Sequence, residues 1–265
     1  MADKPRDVWA SGAVYEPYVG RWSRLVAREF LVWLNVPVQC DWLDVGCGTG
    51  ALTETILKFA NPQSVKSVDS STGFVEYARA QVRDERVQFD VQDAQALKEN
   101  SDSFGAIGSG LVLNFIPNKE RAVAELVRVA KKNGTVAAYV WAYAGDMQWL
   151  RIFWDAAVAL DPAVRELDES VRFPVCKPEP LAALWRAAGL HSVETRAIDV
   201  PTVFRDFDDY WSPFLGGQAP APSYAMSLTE EKRAALREKI RASLSIRADG
   251  SIHLIARAWG VRGVK

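Results

Sequence analysis

The chain has 265 residues, with 32 basic and 33 acidic side chains, a formal net charge of −1 and 49% hydrophobic residues. That length holds one large domain with a substantial core, and the balanced charge lacks the basic excess that marks nucleic-acid binders. Cys40, Cys47 and Cys176 form no C-x-x-C pair, so neither a disulfide framework nor a metal site is expected. No apolar run reaches membrane-spanning length and the opening MADKPRDVWA is too polar for a signal peptide, so a cytoplasmic protein without a membrane partner is expected. Asn133-Gly134-Thr135 fits a glycosylation sequon but reads as a turn.

Strand and helix patterns alternate along the first half. Leu25, Val26, Phe30 and Leu34 recur at helical spacing and predict a helix over about 15–34. CDWLDVG reads as a short buried strand, followed by glycines and an amphipathic helix from Ala51 to Phe59. A second strand, SVKSVD, ends at Asp69, and Ser71 is placed to cap a helix running to about Val82. VQFDVQD is a third strand ending near Asp93, and FGAIGSGLVLNF a fourth. The helix ERAVAELVRVAKK is expected to stop at Gly134, before a fifth strand, TVAAYVWAY. This alternation predicts an α/β fold, a mostly parallel doubly wound sheet with helices on both faces.

Beyond Tyr143 the pattern changes. A helix (MQWLRIFWDAAVAL), a charged loop and a second helix (KPEPLAALWRAAGL) precede a strand, SVETRAIDVPTVF. DFDDYWSPFLGG, a loop holding Pro220 and Pro222, and a charged helix then lead to a last strand, GSIHLIARAWG. The simplest partition is one domain over 1–265, with a cofactor-binding core at 15–143 and cap insertions at 144–176 and 205–249.

The stretch WLDVGCGTG, Trp42 to Gly50, follows a strand and opens a helix, the context in which a glycine motif carries meaning. Gly46, Gly48 and Ala51 satisfy the dinucleotide pattern G-x-G-x-x-G/A. Asp69 lies 19 residues past Gly50, where a carboxylate accepts from ribose hydroxyls, and Asp93 ends the next strand. A pyrophosphate favours backbone amides with no negative side chain close by, whereas Asp44 stands two residues before Gly46. That charge suits S-adenosylmethionine, which has no phosphate and carries an ammonium beside a sulfonium. No Y-x-x-x-K pair is present, so one common dehydrogenase arrangement is missing.

Asp44 to Gly50 (DVGCGTG), Val68 to Ser71 (VDSS), Gln92 to Ala94 (QDA) and Glu125 to Val129 (ELVRV) together resemble the class I S-adenosylmethionine-dependent methyltransferases. The chain is similar to their small-molecule branch, the ubiquinone and menaquinone methyltransferases (methyltransferase type 11), strongly over about 15–143 and loosely at the C-terminal strand pair. The resemblance implies a Rossmann-like seven-stranded sheet with the last strand antiparallel. It implies S-adenosyl-L-methionine lying along the backbone of Gly46, Cys47, Gly48 and Gly50, with Asp44 near the ammonium. Asp69, with Ser70 beside it, would hold the ribose, and Asp93 and Ala94 would meet the adenine. Ser109 to Leu111 would complete the floor. An N-terminal tyrosine or arginine reaches the cofactor in many relatives, making Tyr15, Tyr18 and Arg21 candidates; a solvated helix face is the other reading of Arg21.

Two departures leave the subfamily open: Phe104-Gly105 where Phe-Asp is common, and KKNG in place of a Pro-Gly-Gly turn. GLVLNFIPN differs from the Asn/Asp-Pro-Pro-Tyr signature of enzymes that methylate base amino groups. The activated sulfonium needs positioning and exclusion of water more than acid–base help. His191 and His253 read as surface or strand residues, and Tyr143 and Asp146, just past the fifth strand, are the catalytic candidates. Trp141, Trp149, Phe153, Trp154, Tyr210, Trp211 and Phe214 either line a pocket for an apolar or planar substrate or pack the cap onto the sheet. SPFLGGQAPAPS is either a hinged lid or a surface connector. The expected function is methyl transfer to a small organic molecule. An NAD(P)-dependent oxidoreductase and a non-catalytic adenosylmethionine-binding protein are the alternatives.

Overall fold

A computed structural model describes residues 20–217 and 219–265; Tyr15 and Tyr18 lie outside these residues. The elements are α1 (Arg21–Leu34), β1 (Asp41–Val45), α2 (Ala51–Phe59), β2 (Ser64–Asp69), α3 (Thr72–Gln81), β3 (Val87–Val91), β4 (Phe104–Gly110), α4 (Lys119–Val129) and β5 (Ala130–Trp141). They continue with α5 (Gln148–Leu160), α6 (Glu169–Arg172), α7 (Pro178–Ala187), β6 (His191–Phe204), α8 (Phe207–Trp211), α9 (Pro220–Ser227), α10 (Glu230–Ser243) and β7 (Ile252–Val264). The seven strands form one sheet in the order β3-β2-β1-β4-β5-β7-β6. Only β7 opposes the rest, pairing antiparallel with both β5 and β6.

The central strands are buried on both sides, which is why Trp42, Leu43 and Val45 of β1 are all buried rather than alternating with exposed residues. Gly260 and Gly263 of β7 show the two covered faces directly. A Cβ on the first would meet Trp33 of α1, and on the second Trp185 of α7; residues three apart on a strand face opposite sides. Phe30 of α1 also packs on Tyr139 of β5, with ring centroids 4.6 Å apart. Ser71 caps α3 as its residue type requires, its Oγ accepting from Phe74 N at 3.3 Å.

Several boundaries differ from the sequence expectation. The fourth strand stops at Gly110 rather than running to Phe115. Leu111 adopts φ 62° and a 3-10 turn, Leu113–Phe115, follows. The fourth helix stops at Val129, not at Gly134. The chain enters β5 at Ala130, opposite Phe104, and absorbs a register shift before Ala106 pairs with Thr135. At this junction Lys265 Nζ donates to the carbonyls of Arg128 and Ala130, a contact no local signal records. The proline segment also differs, because Pro220 and Pro222 lie in the first turn of α9, where a missing N–H costs nothing. The charged loop before α7 contains a 3-10 turn, Pro162–Leu167, and the short helix α6.

Segments 144–176 and 205–249 pack on one another through aromatic rings. Phe153 of α5 stacks on Phe214 at 4.5 Å, Trp149 meets Phe214 at 5.1 Å, and Trp154 meets Tyr224 of α9 at 5.8 Å. Tyr210 Oη donates to the Trp149 carbonyl at 2.6 Å, joining α8 to α5. Packing is therefore the role of most of these aromatics; Trp141 alone of the seven lines the cavity described below.

Candidate active site

A cavity of about 690 Å³ opens at the carboxyl edge of the parallel strands, the position where ligands of open α/β sheets bind. The loop after β1 forms one wall. Gly46 and Gly48 both hold positive φ, 76° and 52°. A Cβ on Gly46 would lie 2.3 Å from Val112 Cγ1, whereas one on Gly48 would meet nothing within 4 Å. The first glycine thus admits the β4 loop, and the second leaves the wall open towards the cavity. Gly50, at φ 91°, is the N-cap of α2 and stands behind the wall.

The loop's amides are already engaged. Gly46 N and Cys47 N both donate to the Val68 carbonyl, at 2.8 and 3.0 Å. Gly48 N donates to Asp69 Oδ2 at 3.0 Å, and Ser71 N to Asp69 Oδ1 at 2.8 Å. A pyrophosphate cradle needs free amides and a positive field; here the amides of Gly46, Cys47, Gly48 and Gly50 are engaged and two carboxylates stand beside them. Asp69 is 8% exposed and lines the cavity. Burial pushes its carboxyl up, and the amides of Ser71, Gly48 and Ser70 oppose that shift. Each oxygen retains acceptor capacity for a ribose hydroxyl.

Asp44 sits beneath the glycines, fully buried. Its Oδ2 accepts from Thr53 Oγ1 at 2.6 Å, and Thr53 Oγ1 in turn contacts Ser67 Oγ at 2.8 Å. Its Oδ1 has no hydrogen-bond partner among the described residues. Burial first, and then the Asp69 charge, push its carboxyl up to about 7. A buried carboxylate with an orphaned oxygen beside a second carboxylate calls for a cation nearby. The donor set therefore fits a cationic, phosphate-free nucleoside. Asp69 would hold its ribose and the Asp44 charge would favour its positive end.

The other expected residues divide between cavity and framework. Cys47, Ser70, Asp93, Ala94 and Leu111 line the cavity with Gly46 and Gly48. Asp93 is held by Gln95, whose backbone N donates at 2.8 Å, and this bond keeps its carboxyl below the ordinary range. Ser109 is buried behind the wall and donates to the Val45 carbonyl at 2.9 Å, tying β4 to β1. Arg21 lies away from the cavity: it pairs with Asp209 of α8 at 3.0 Å and its guanidinium lies 4.7 Å over the Phe204 ring. Of the two catalytic candidates, Tyr143 lines the cavity, its ring 5.8 Å from Phe173. Asp146 faces outward instead, paired with Arg257 at 2.7 Å. His191 and His253 are both exposed.

Three lining residues are not among those the sequence singles out as site residues, although Gln92 belongs to the QDA motif. Gln92 and Ser23 are polar and buried, and Glu169 is a carboxylate only 2% exposed. Glu169 sits in the charged stretch between two helices, where a glutamate reads as solvated; only the folding of α6 against α5 buries it.

Fold and cavity together define an α/β protein that binds a nucleoside at the carboxyl ends of its strands. Residues 43–138 match the family model described as a methyltransferase domain. The chain is 30% identical over 187 residues to a demethylmenaquinone methyltransferase of Roseiflexus sp. (strain RS-1), covering 64% of this chain and 76% of that protein. A putative methyltransferase of Bacillus halodurans C-125 shares the fold at TM-score 0.60 and 16% identity, over 90% of this chain and 98% of that one. The phosphoethanolamine N-methyltransferase 2 of Haemonchus contortus, solved with phosphomonomethylethanolamine and S-adenosylhomocysteine, does so at TM-score 0.55 and 16% identity, over 89% and 52%. The chain belongs to the S-adenosylmethionine-dependent methyltransferases, and S-adenosylmethionine is its cofactor. No helix among the described residues is long and apolar enough to cross a membrane.

Proposed function

We propose that this methyltransferase acts on a small, largely apolar organic molecule held between the glycine loop and segments 144–176 and 205–249. The observation that carries this reading is the shape of the cavity. Beyond the adenosyl-binding residues it continues between Trp141, Tyr143, Met147, Leu150, Phe115 and Ala219. A volume of about 690 Å³ lies within the usual range for small-molecule sites. The bound cofactor supplies an activated methyl group, open to in-line displacement.

In this reading Asp69 and Asp93 fix the nucleoside and Asp44 favours its cationic end, while Gly46, Cys47 and Gly48 present the wall it lies against. Ser70, Ala94 and Leu111 complete that wall. Met147, Leu150 and Ala219 exclude water from the acceptor end, which favours methyl transfer to the acceptor over hydrolysis. The name of the Roseiflexus relative, a demethylmenaquinone methyltransferase, supports an apolar ring as acceptor. The test is transfer of an isotopically labelled methyl group, with a quinol panel, an RNA pool and a denatured protein pool offered separately. Label appearing in the quinol fraction is expected; label confined to RNA or protein would contradict the assignment.

A further inference from the structure

The acceptor end of the cavity holds a buried carboxylate that cofactor binding leaves unused. Glu169 opens α6, is 2% exposed, and lines the same cavity as Asp69 and Asp93. Trp154 Nε1 donates to its Oε2, and no other side chain among the described residues is hydrogen-bonded to it. One indole N–H is thin compensation for a carboxylate removed from water. Core packing alone has no need of such a group, since an apolar side chain of similar volume would fill the position at lower cost. The charged groups near it are already engaged. Asp168 is held by Arg151 at 2.6 Å, and the Arg172 guanidinium lies 5.0 Å over Phe173. Cys176 is a buried thiol, and Lys119 Nζ donates to the Ile116 carbonyl at 3.0 Å.

We propose that Glu169 removes the hydroxyl proton of an aromatic acceptor bound in this cavity. The inference rests on the methyltransferase reading above. In the ionised form of Glu169, which becomes substantial as pH approaches 8, the acceptor O–H bond breaks and its proton passes to the carboxylate. The oxygen's electron pair forms the new bond to the methyl carbon, and the pair of the broken carbon–sulfur bond stays on sulfur. The cofactor's positive charge is discharged in the same step, and Glu169 later returns its proton to solvent. Burial pushes this carboxyl up to about 8, close to the range of a phenolic hydroxyl near 10. Proton transfer between groups so matched is efficient, whereas an ordinary carboxylate near 4 would be a poor base for a phenol. The aromatic walls, Trp141 and Tyr143 among them, suit a planar ring.

The test uses 2-naphthol as a spectroscopic probe, because its neutral and ionised forms absorb differently and its hydroxyl, in the phenolic range, loses its proton after Glu169 does. Wild type, Glu169→Gln and Glu169→Asp are each saturated with S-adenosylhomocysteine, verified by calorimetry, and the bound probe is titrated with pH. A carboxylate and a phenolate sharing one proton resist the second charge. The bound probe is therefore expected to titrate about one pH unit or more above the free probe in wild type. The shift should persist in Glu169→Asp and vanish in Glu169→Gln, whose amide still accepts from Trp154. Equal titration in all three proteins, or failure of the probe to bind wild type that holds S-adenosylhomocysteine, would overturn the proposal. Failure of wild type to bind S-adenosylhomocysteine at all would instead remove the methyltransferase reading, and this inference with it.

Discussion

Asp44 and Asp69 sit one shell apart behind the same glycine loop, and their different partners give them different duties. Asp69 is tied by two backbone amides and open to the cavity. Asp44 is sealed beneath it, with one oxygen on Thr53 and the other orphaned. Its carboxyl stands at about 7 against an ordinary 3.8. The folded chain thus binds more protons than the unfolded chain between those values, and Asp44 lowers stability progressively as pH rises from about 4 to about 7. Asp44→Asn keeps an acceptor for Thr53 and has no such dependence. In urea unfolding without cofactor, the variant should gain on wild type between pH 5 and pH 8, by on the order of 3 kcal/mol. A constant difference across that range would show that Asp44 ionises freely. Under the proposed function, the cost of the orphaned oxygen is offset when the cationic cofactor binds.

At the scale of elements, the turn from β1 to α2 sets where the cavity lies. Its glycines were legible in the sequence as a motif, but their separate tasks were not. Gly46 admits Val112 from the loop after β4, a contact between residues 66 positions apart, and no local pattern records it. Gly46→Ala combines a positive φ with a 2.3 Å clash and should displace the β4 loop, whereas Gly48→Ala carries only the conformational cost, about 1–2 kcal/mol. Thermal unfolding should rank Gly46→Ala well below Gly48→Ala; equal losses would refute the separate roles. The segments that the sequence described less well have separate physical causes. The proline-rich stretch is helical because both prolines fall in a first turn, and α4 ends early because strand pairing at Ala130 overrides local helix preference. Arg21 has a partner 188 positions away in Asp209, so its placement depends on tertiary packing rather than on the motif near it.

Over the whole molecule, the parallel sheet and the cavity at its carboxyl edge follow from alternating patterns that local physics makes readable; the antiparallel β7 is implied only by the family resemblance, and the order of strands is not read from the sequence at all. The acceptor end is another matter. It is assembled from β5, α5, α6 and the start of α9, segments whose apolar residues look alike whether they pack a core or line a cavity. Trp149, Phe153, Tyr210, Trp211 and Phe214 took the packing role, while Glu169, in a stretch rich in charge, took a place in the cavity wall. Burial of a charged residue by distant elements is what sequence periodicity cannot encode.

The central claim is that the carboxyl edge holds an adenosyl group through Asp69. Calorimetric titration of wild type and Asp69→Ala with S-adenosylmethionine, S-adenosylhomocysteine and NADH tests it most directly. Loss of charge-assisted hydrogen bonds to two ribose hydroxyls amounts to about a hundred-fold or more in affinity. The account predicts that wild type binds the two adenosyl compounds and not NADH, and that Asp69→Ala, still folded by circular dichroism, loses that binding. Undiminished binding by the variant, or preference of wild type for NADH, would contradict it.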